Sequence, residues 1–154
     1  MKFKIIPNEQ TPAISPWIAA EEILKNHYKL MVKFLSFATR QYLCAGLASN
    51  QASCDGERIM VPFFAIKDNH FWDIVISPEI TAFRGPKTEK VEGCLTWLGK
   101  DIIAERYPEI DVLYWNFKGQ KKIETITGFK AQVWQHEYNH LKGINEIVRS
   151  RSKL

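Results

Sequence analysis

Apolar residues recur at helical spacing from about Trp17 to Leu43. Ile23, Leu24, Met31, Phe34, Leu35, Ala38 and Tyr42 fall on one stripe, with His27 on it or beside it, and this predicts a long amphipathic helix. On such a stripe His27 reads as a packed or half-exposed side chain. Ahead of the helix, Pro7, Pro12 and Pro16 interrupt regular structure, so residues 7–16 read as an extended arm. Gly46 marks the helix exit or the turn after it. Beyond that point the pattern shifts toward β-structure. Arg58–Lys67 is rich in β-formers, with Pro62 predicting an edge or a bulge, and Phe71–Ser77 is a second strand closed by Pro78. Ile80–Phe83 is a candidate third strand. Ile110–Phe117 alternates, and Lys118-Gly119 predicts a hairpin into Lys121–Thr127. A last helix is expected over Phe129–Leu141, stopped by Gly143. The series predicts an α+β fold in a single domain spanning 1–154, with a long N-terminal helix, antiparallel or mixed sheets and a C-terminal helix.

Composition narrows this without changing it. With 154 residues, 45% apolar and 25% charged, the chain suits one ordinary globular core. The net charge of +4 reads as a solvated surface, with no sequence-specific nucleic-acid binding expected. Lys142, Arg149, Arg151 and Lys153 are expected to keep a frayed end soluble. Cys44, Cys54 and Cys94 form an odd set without a C-x-x-C pair, which argues against a disulfide scaffold and for a reducing compartment. No signal-peptide pattern follows Met1, and no run approaches the ~20 apolar residues of a membrane helix. The expectation is a soluble, cytoplasmic protein.

The candidate chemistry lies in the last helix. His136 and His140 are four residues apart, which places both imidazoles on one face with Glu137 beside them, the H-E-x-x-H arrangement. Two histidines on one face can chelate a divalent ion, and the carboxylate can take a proton from water. The same residues can also decorate the surface of an amphipathic helix. A third ligand is needed, and Cys94, between Gly93 and Gly99, can supply it as a thiolate; a buried structural cysteine is the other reading. Spacing alone leaves both pairs of readings open.

Three segments together resemble peptide deformylase. That family carries a G-φ-G-φ-A-A-x-Q segment (φ apolar), an E-G-C-L-S segment and Q-H-E-x-D-H-L-x-G. This chain has Cys44-Ala45-Gly46-Leu47-Ala48-Ser49-Asn50-Gln51, Glu92-Gly93-Cys94-Leu95-Thr96 and Gln135 through Gly143, in the family's order. The resemblance implies a hydrolase that removes the N-formyl group from N-formylmethionyl nascent peptides. It implies Cys94, His136 and His140 as metal ligands, Glu137 as general acid/base, and the Gln51 amide and Leu95 backbone N–H as oxyanion donors. Gly46, Leu47, Gly93 and Trp97 would contact the substrate, and an apolar pocket would take the methionine, with Trp134 or Tyr138 as candidate walls. Arg106 would be a structural ion-pair partner, to Glu92. One divalent ion is implied, Fe²⁺ in vivo, with Zn²⁺ or Ni²⁺ able to occupy the site in purified protein. A transient ribosome contact is a further expectation.

Departures from the family pattern are specific. Cys44 stands for the first glycine, which suggests that the helix runs further. Ser49 replaces alanine and Thr96 replaces serine. Asn139 replaces the aspartate of H-E-x-D-H, and its amide oxygen can still accept a hydrogen bond. Trp97-Leu98-Gly99-Lys100 replaces a proline-containing stretch that would line the substrate entrance. Only 14 residues follow His140; such short tails resemble organellar-type or phage-encoded deformylases. Two other readings remain at this stage: a zinc endopeptidase using H-E-x-x-H, and a non-catalytic, deformylase-like metal-binding or ribosome-associated module.

Overall fold

The computed structural model describes residues 1–41 and 44–151. Helix α1 is shorter than its stripe predicts, Ala20–Thr39, and Tyr42 and Leu43 lie outside the described residues. His27 leaves helical geometry (φ −127°, ψ 15°) and is half-buried, while Ile23, Met31, Phe34 and Ala38 hold the buried face. Glu21 and Glu22 occupy the first turn, where a carboxylate complements the helix dipole.

A five-stranded sheet forms the centre. In chain order the strands among the described residues are β1 (Phe3–Ile5), β2 (Gly46–Ala48), β3 (Ala52–Cys54), β4 (Glu57–Arg58), β5 (Phe63–Asp68), β6 (Phe71–Arg84), β7 (Thr88–Glu92), β8 (Lys100–Arg106), β9 (Glu109–Trp115), β10 (Lys121–Thr127) and β11 (Ile147–Ser150). The central sheet runs β10-β9-β6-β5-β2, with antiparallel neighbours throughout. Alternate residues of β5 and β6 feed two different cores. Phe63, Ala65, Ile74 and Ile76 pack with the buried face of α1, whereas Phe64, Ile66 and Val75 pack with Trp134, Ala131 and Leu141 of helix α2 (Gly128–Lys142). Burial on both faces explains why Phe63–Ile66 is a continuous apolar run rather than an alternating one.

The prolines act as punctuation in two ways. Pro62 ends the predicted Arg58–Lys67 strand early, so that β4 and β5 join different sheets. Pro78 does not end its strand. β6 runs through it for 14 residues and absorbs the missing N–H in a bulge, where Ser77 takes φ 46° and the register against β9 shifts between Ile76 and Glu79. Predicted strands two and three are therefore one. The predicted hairpin forms at β9–β10, where Asn116 Oδ1 accepts from the N–H groups of Lys118 and Gln120, each at 3.0 Å.

Two small sheets, β1-β3-β4 and β11-β8-β7, complete the fold. The second corrects the expectation of a frayed basic end: Arg149 sits opposite Asp101 in the β11–β8 ladder, and the Arg151 guanidinium donates to Asp101 at 3.1 Å. Lys142 lies 4.3 Å over the Trp17 ring, and Lys153 is outside the described residues. The arm before α1 has no regular structure, as predicted, but it is firmly tied. Asn8 N–H donates to Thr96 O at 2.7 Å and Ile14 N–H to Leu141 O at 3.0 Å. Gly143 ends α2 with φ 67°, and a Cβ there would lie 2.5 Å from Ala13 N, so the arm and the helix stop both demand glycine.

Candidate active site

Three segments converge on one cleft of about 460 Å³. The α2 helix contributes His136 and Glu137 to its lining, with His140 behind them; a turn of 3₁₀ helix after β2 (Ser49–Gln51) contributes Gln51; and the link between β7 and β8 contributes Cys94, immediately ahead of a second 3₁₀ turn, Leu95–Trp97. Cys94 Sγ lies 3.4 Å from His140 Nε2, the two Nε2 atoms lie 3.2 Å apart, and the three donor atoms all fall within 4.8 Å of one another.

Each histidine has its outer nitrogen engaged. His136 Nδ1 is 2.8 Å from Glu92 Oε1, and His140 Nδ1 is 3.3 Å from Thr11 Oγ1. Both Nε2 atoms are thereby turned toward the cysteine. One sulfur and two imidazoles so arranged suit a late first-row divalent ion and leave a coordination position open. Oriented outer partners of this kind tune a metal site, and they are part of it.

Glu92 is the hub of the support. Arg106 grips it with two nitrogens, Nη2 at 2.7 Å from Oε1 and Nε at 3.1 Å from Oε2, and Gln132 Nε2 donates to Oε2 at 2.9 Å. Burial opposes ionisation of Glu92, but the hydrogen bonds with His136 and Arg106 hold its pKa down at about 2. The expected pair of Arg106 with Glu92 is thus present and buried. Arg106 reaches further, with Nη1 donating to Glu146 Oε1 at 2.8 Å. Asn139 Nδ2 donates to the same oxygen at 3.0 Å. The Asn139 amide therefore serves as a donor here, and the carboxylate beside it is that of Glu146.

Glu137 is 3% exposed, and its Oε2 has no hydrogen-bond partner. Burial is the main cause raising its pKa, to about 7, which suits a group that takes a proton and returns it near neutral pH. Gln51 is fixed in one orientation. Its Oε1 accepts from Ala48 N–H at 2.9 Å, so its amino group must face the other way, toward Thr96 Oγ1 at 3.1 Å and Cys94 Sγ at 3.3 Å.

Gly46 packs where a side chain cannot. A Cβ there would lie 2.9 Å from Val133 Cγ1 and 3.1 Å from Glu137 Oε1. Its first role is to admit Glu137, beside any approach of a substrate. Gly46→Ala is expected to displace Glu137 and lower kcat/KM by up to about 10²-fold, the scale of a 1 Å misplacement. Wild-type turnover by Gly46→Ala at unchanged Tm would refute that role.

The other expected contacts divide. Gly93, Leu95 and Trp97 line the cleft, as do Leu98, Gly99 and Lys100 of the entrance stretch. Leu47 does not; its side chain is fully buried in the α1 core, so only its backbone, on the outer strand β2, remains for a substrate. Trp134 and Tyr138 are not cleft walls either. Trp134 packs edge-on against Phe64 at 4.9 Å, while Tyr138 lies beneath Lys142. Beside Leu95 and Trp97, the apolar walls are Ala45, Val91, Leu98, Phe129 and Val133. Cys44 also borders the cleft, with its thiol donating to Gly46 O at 3.0 Å and its pKa pushed up to about 12 by burial. It is not strained, and α1 ends before it instead of running on to it. Thr11, Glu146 and Gln132 escaped the sequence reading. Glu146 had one signal, the lost charge at Asn139; Thr11 lies in an arm with no periodicity and had none.

The family profile of polypeptide deformylase matches residues 11–153. The peptide deformylase of Thermotoga maritima is 33% identical over 130 residues, covering 84% of this chain and 73% of that protein. That of Aquifex aeolicus is 40% identical over 76 residues, 49% of this chain. The matched stretch spans 44% of the Aquifex protein and 43% and 46% of those from Shewanella oneidensis and Thermotoga petrophila, about half the length of these relatives. Among solved structures, the PDF of Vibrio parahaemolyticus bacteriophage VP16T in complex with actinonin superposes with a TM-score of 0.72 at 26% identity, covering 92% of this chain and 98% of that one. The Met-Ala-Ser-bound class I type b peptide deformylase of Acinetobacter baumannii shares the fold, with a TM-score of 0.74 at 21% identity, covering 92% of this chain and 96% of that one.

Proposed function

The chain belongs to the polypeptide deformylase family, and from that premise we propose that it is a metal-dependent hydrolase acting on the N-terminal formylmethionine of nascent peptides and releasing formate. The observation that carries this reading is the locked Gln51 amide. Its amino group points at Cys94, in the same cleft as the buried carboxylate of Glu137. A metal-binding module needs neither an oriented oxyanion donor nor a buried base.

Cys94, His136 and His140 would hold the ion: Fe²⁺ in the cell, with Zn²⁺ or Ni²⁺ accepted after purification, since this donor set suits several late first-row ions. When bound, it supplies Lewis acidity to the reacting water and the formyl oxygen. Glu137 removes a proton from the water as its oxygen bonds to the formyl carbon. The charge that develops on the formyl oxygen is met by the Gln51 amino group and by the backbone N–H of Leu95. As the carbon–nitrogen bond breaks, Glu137 passes its proton to the departing amine, and formate and the free N-terminus are the products. Glu92, clamped by Arg106, keeps His136 oriented throughout.

The peptide has an obvious path. Strand β2 is the edge of the central sheet, and its first residue, Gly46, borders the cleft, so an extended peptide can align there with its methionine among Val91, Leu98, Phe129 and Val133. Residues 1–154 act as one catalytic domain in this reading. No helix among the described residues is long and apolar enough to cross a membrane. A nascent-chain substrate places the enzyme in the cytoplasm, in transient contact with ribosomes. The resemblance to the VP16T protein favours a phage-encoded origin acting in a bacterial cell.

Purified anaerobically with Fe²⁺, the protein should release formate from formyl-Met-Ala-Ser and leave unformylated peptides uncut. Internal cleavage without formate would indicate an endopeptidase, and an inert, metal-loaded protein would indicate a binding module.

A further inference from the structure

We propose that Thr11 is a positioning residue for the metal centre: from the N-terminal arm, its hydroxyl holds His140 as the tautomer protonated on Nδ1, which leaves Nε2 free for the ion. The inference rests on the reading of His140 as a ligand.

The argument is a count of protons. Thr11 is buried, and its Oγ1 lies 2.8 Å from His140 O and 3.3 Å from His140 Nδ1. A carbonyl oxygen only accepts, so the one hydroxyl proton goes to it. Toward Nδ1 the hydroxyl oxygen can then only accept, and Nδ1 must carry a proton. In a neutral imidazole this makes Nε2 a bare lone pair, and Nε2 is the atom that faces Cys94 Sγ and His136 Nε2. Thr11 thus stands to His140 as Glu92 stands to His136, with a neutral partner in place of an anionic one.

The arm is built to hold that hydroxyl in place. Just after Thr11, Pro12 O accepts from Asn50 Nδ2 at 2.9 Å, and the same amide donates to His140 O at 2.7 Å. Ile14 N–H reaches Leu141 O, Asn8 N–H reaches Thr96 O, and Glu9 pairs with Arg58. The chain after Thr11 is therefore tied to the segments that carry His140 and Gln51, and the chain before it to Thr96 and Arg58.

The test compares wild type with Thr11→Val, which keeps the shape without the hydroxyl, Thr11→Ser, which restores it, and His140→Ala. Co²⁺ affinity is measured by competition with a chelating dye. The His140 Nδ1–H resonance is followed by NMR in the zinc-loaded protein. Thr11→Val is expected to weaken Co²⁺ binding by about 10- to 100-fold, as losses of outer partners of a metal-bound histidine do. Its Nδ1–H should exchange rapidly with solvent. Thr11→Ser should bind as wild type does, with a protected Nδ1–H. If His140→Ala loses Co²⁺ affinity while Thr11→Val does not, the role of Thr11 falls and the metal reading stands. If His140→Ala binds Co²⁺ as wild type does, both fall. A zinc-loaded wild type with no protected His140 Nδ1–H would overturn the inference even if Thr11→Val failed to fold.

Discussion

Glu137→Gln should abolish most formate release, lowering kcat by about 10²- to 10⁴-fold, the range in which a positioned general acid/base operates. The substitution keeps the volume and the buried position of the side chain and removes only its capacity to exchange a proton. The metal ligands stay in place, because their side-chain partners are other residues: Glu92 for His136, Thr11 for His140 and Gln51 for Cys94. Metal content by elemental analysis should therefore equal that of wild type. Stability should not suffer. Burying a carboxylate opposes folding, and Glu137 Oε2 has no partner to offset that cost. A neutral amide at this position is expected to leave Tm unchanged or raised, the usual relation between a strained functional group and the fold that holds it. Formate release within a factor of a few of wild type, with metal present, would remove Glu137 from the chemistry and leave the proton transfers without a carrier.

How much of this was legible in the sequence follows from how local each feature is. The H-E-x-x-H residues share one helix, so their common face follows from helical geometry alone, and the helix stop at Gly143 is a local signal as well. The core strands were visible because Phe63–Ile66 and Ile74–Ile76 are strongly apolar. β7 was not: Thr88–Glu92 is nearly all polar and exposed, held in place by its pairing with β8 and not by burial of its own. The division at Pro78 failed for a related reason. A proline forbids a ladder hydrogen bond, but a bulge needs none there, and whether one forms is decided by the partner strand. The support around the metal site was the least legible part. Glu146 meets Arg106 across 40 positions of chain, and Thr11 meets His140 across 129. No period or motif encodes such a meeting; only the closed arm and the small sheet create it.

Gln51 offers the sharper test of the mechanism, because its two ends have separable duties. Gln51→Glu keeps an oxygen for Ala48 N–H, so the turn that carries the residue keeps its support. What it removes is the amino group that faces Cys94 and Thr96. If that group meets charge developing on the formyl oxygen, its loss should lower kcat by about 10²- to 10³-fold, or roughly 3 kcal/mol of barrier. KM should change little, since a contact that strengthens only in the transition state contributes little to ground-state binding. Gln51→Ala should lose as much activity and stability besides, by about 1–3 kcal/mol, because Ala48 N–H is left buried without a partner. The pair thus separates donor from scaffold. Should Gln51→Glu turn over like wild type while Gln51→Ala fails, the amide would be a brace for the β2 turn, and the oxyanion would have to be met by Leu95 N–H and the ion alone.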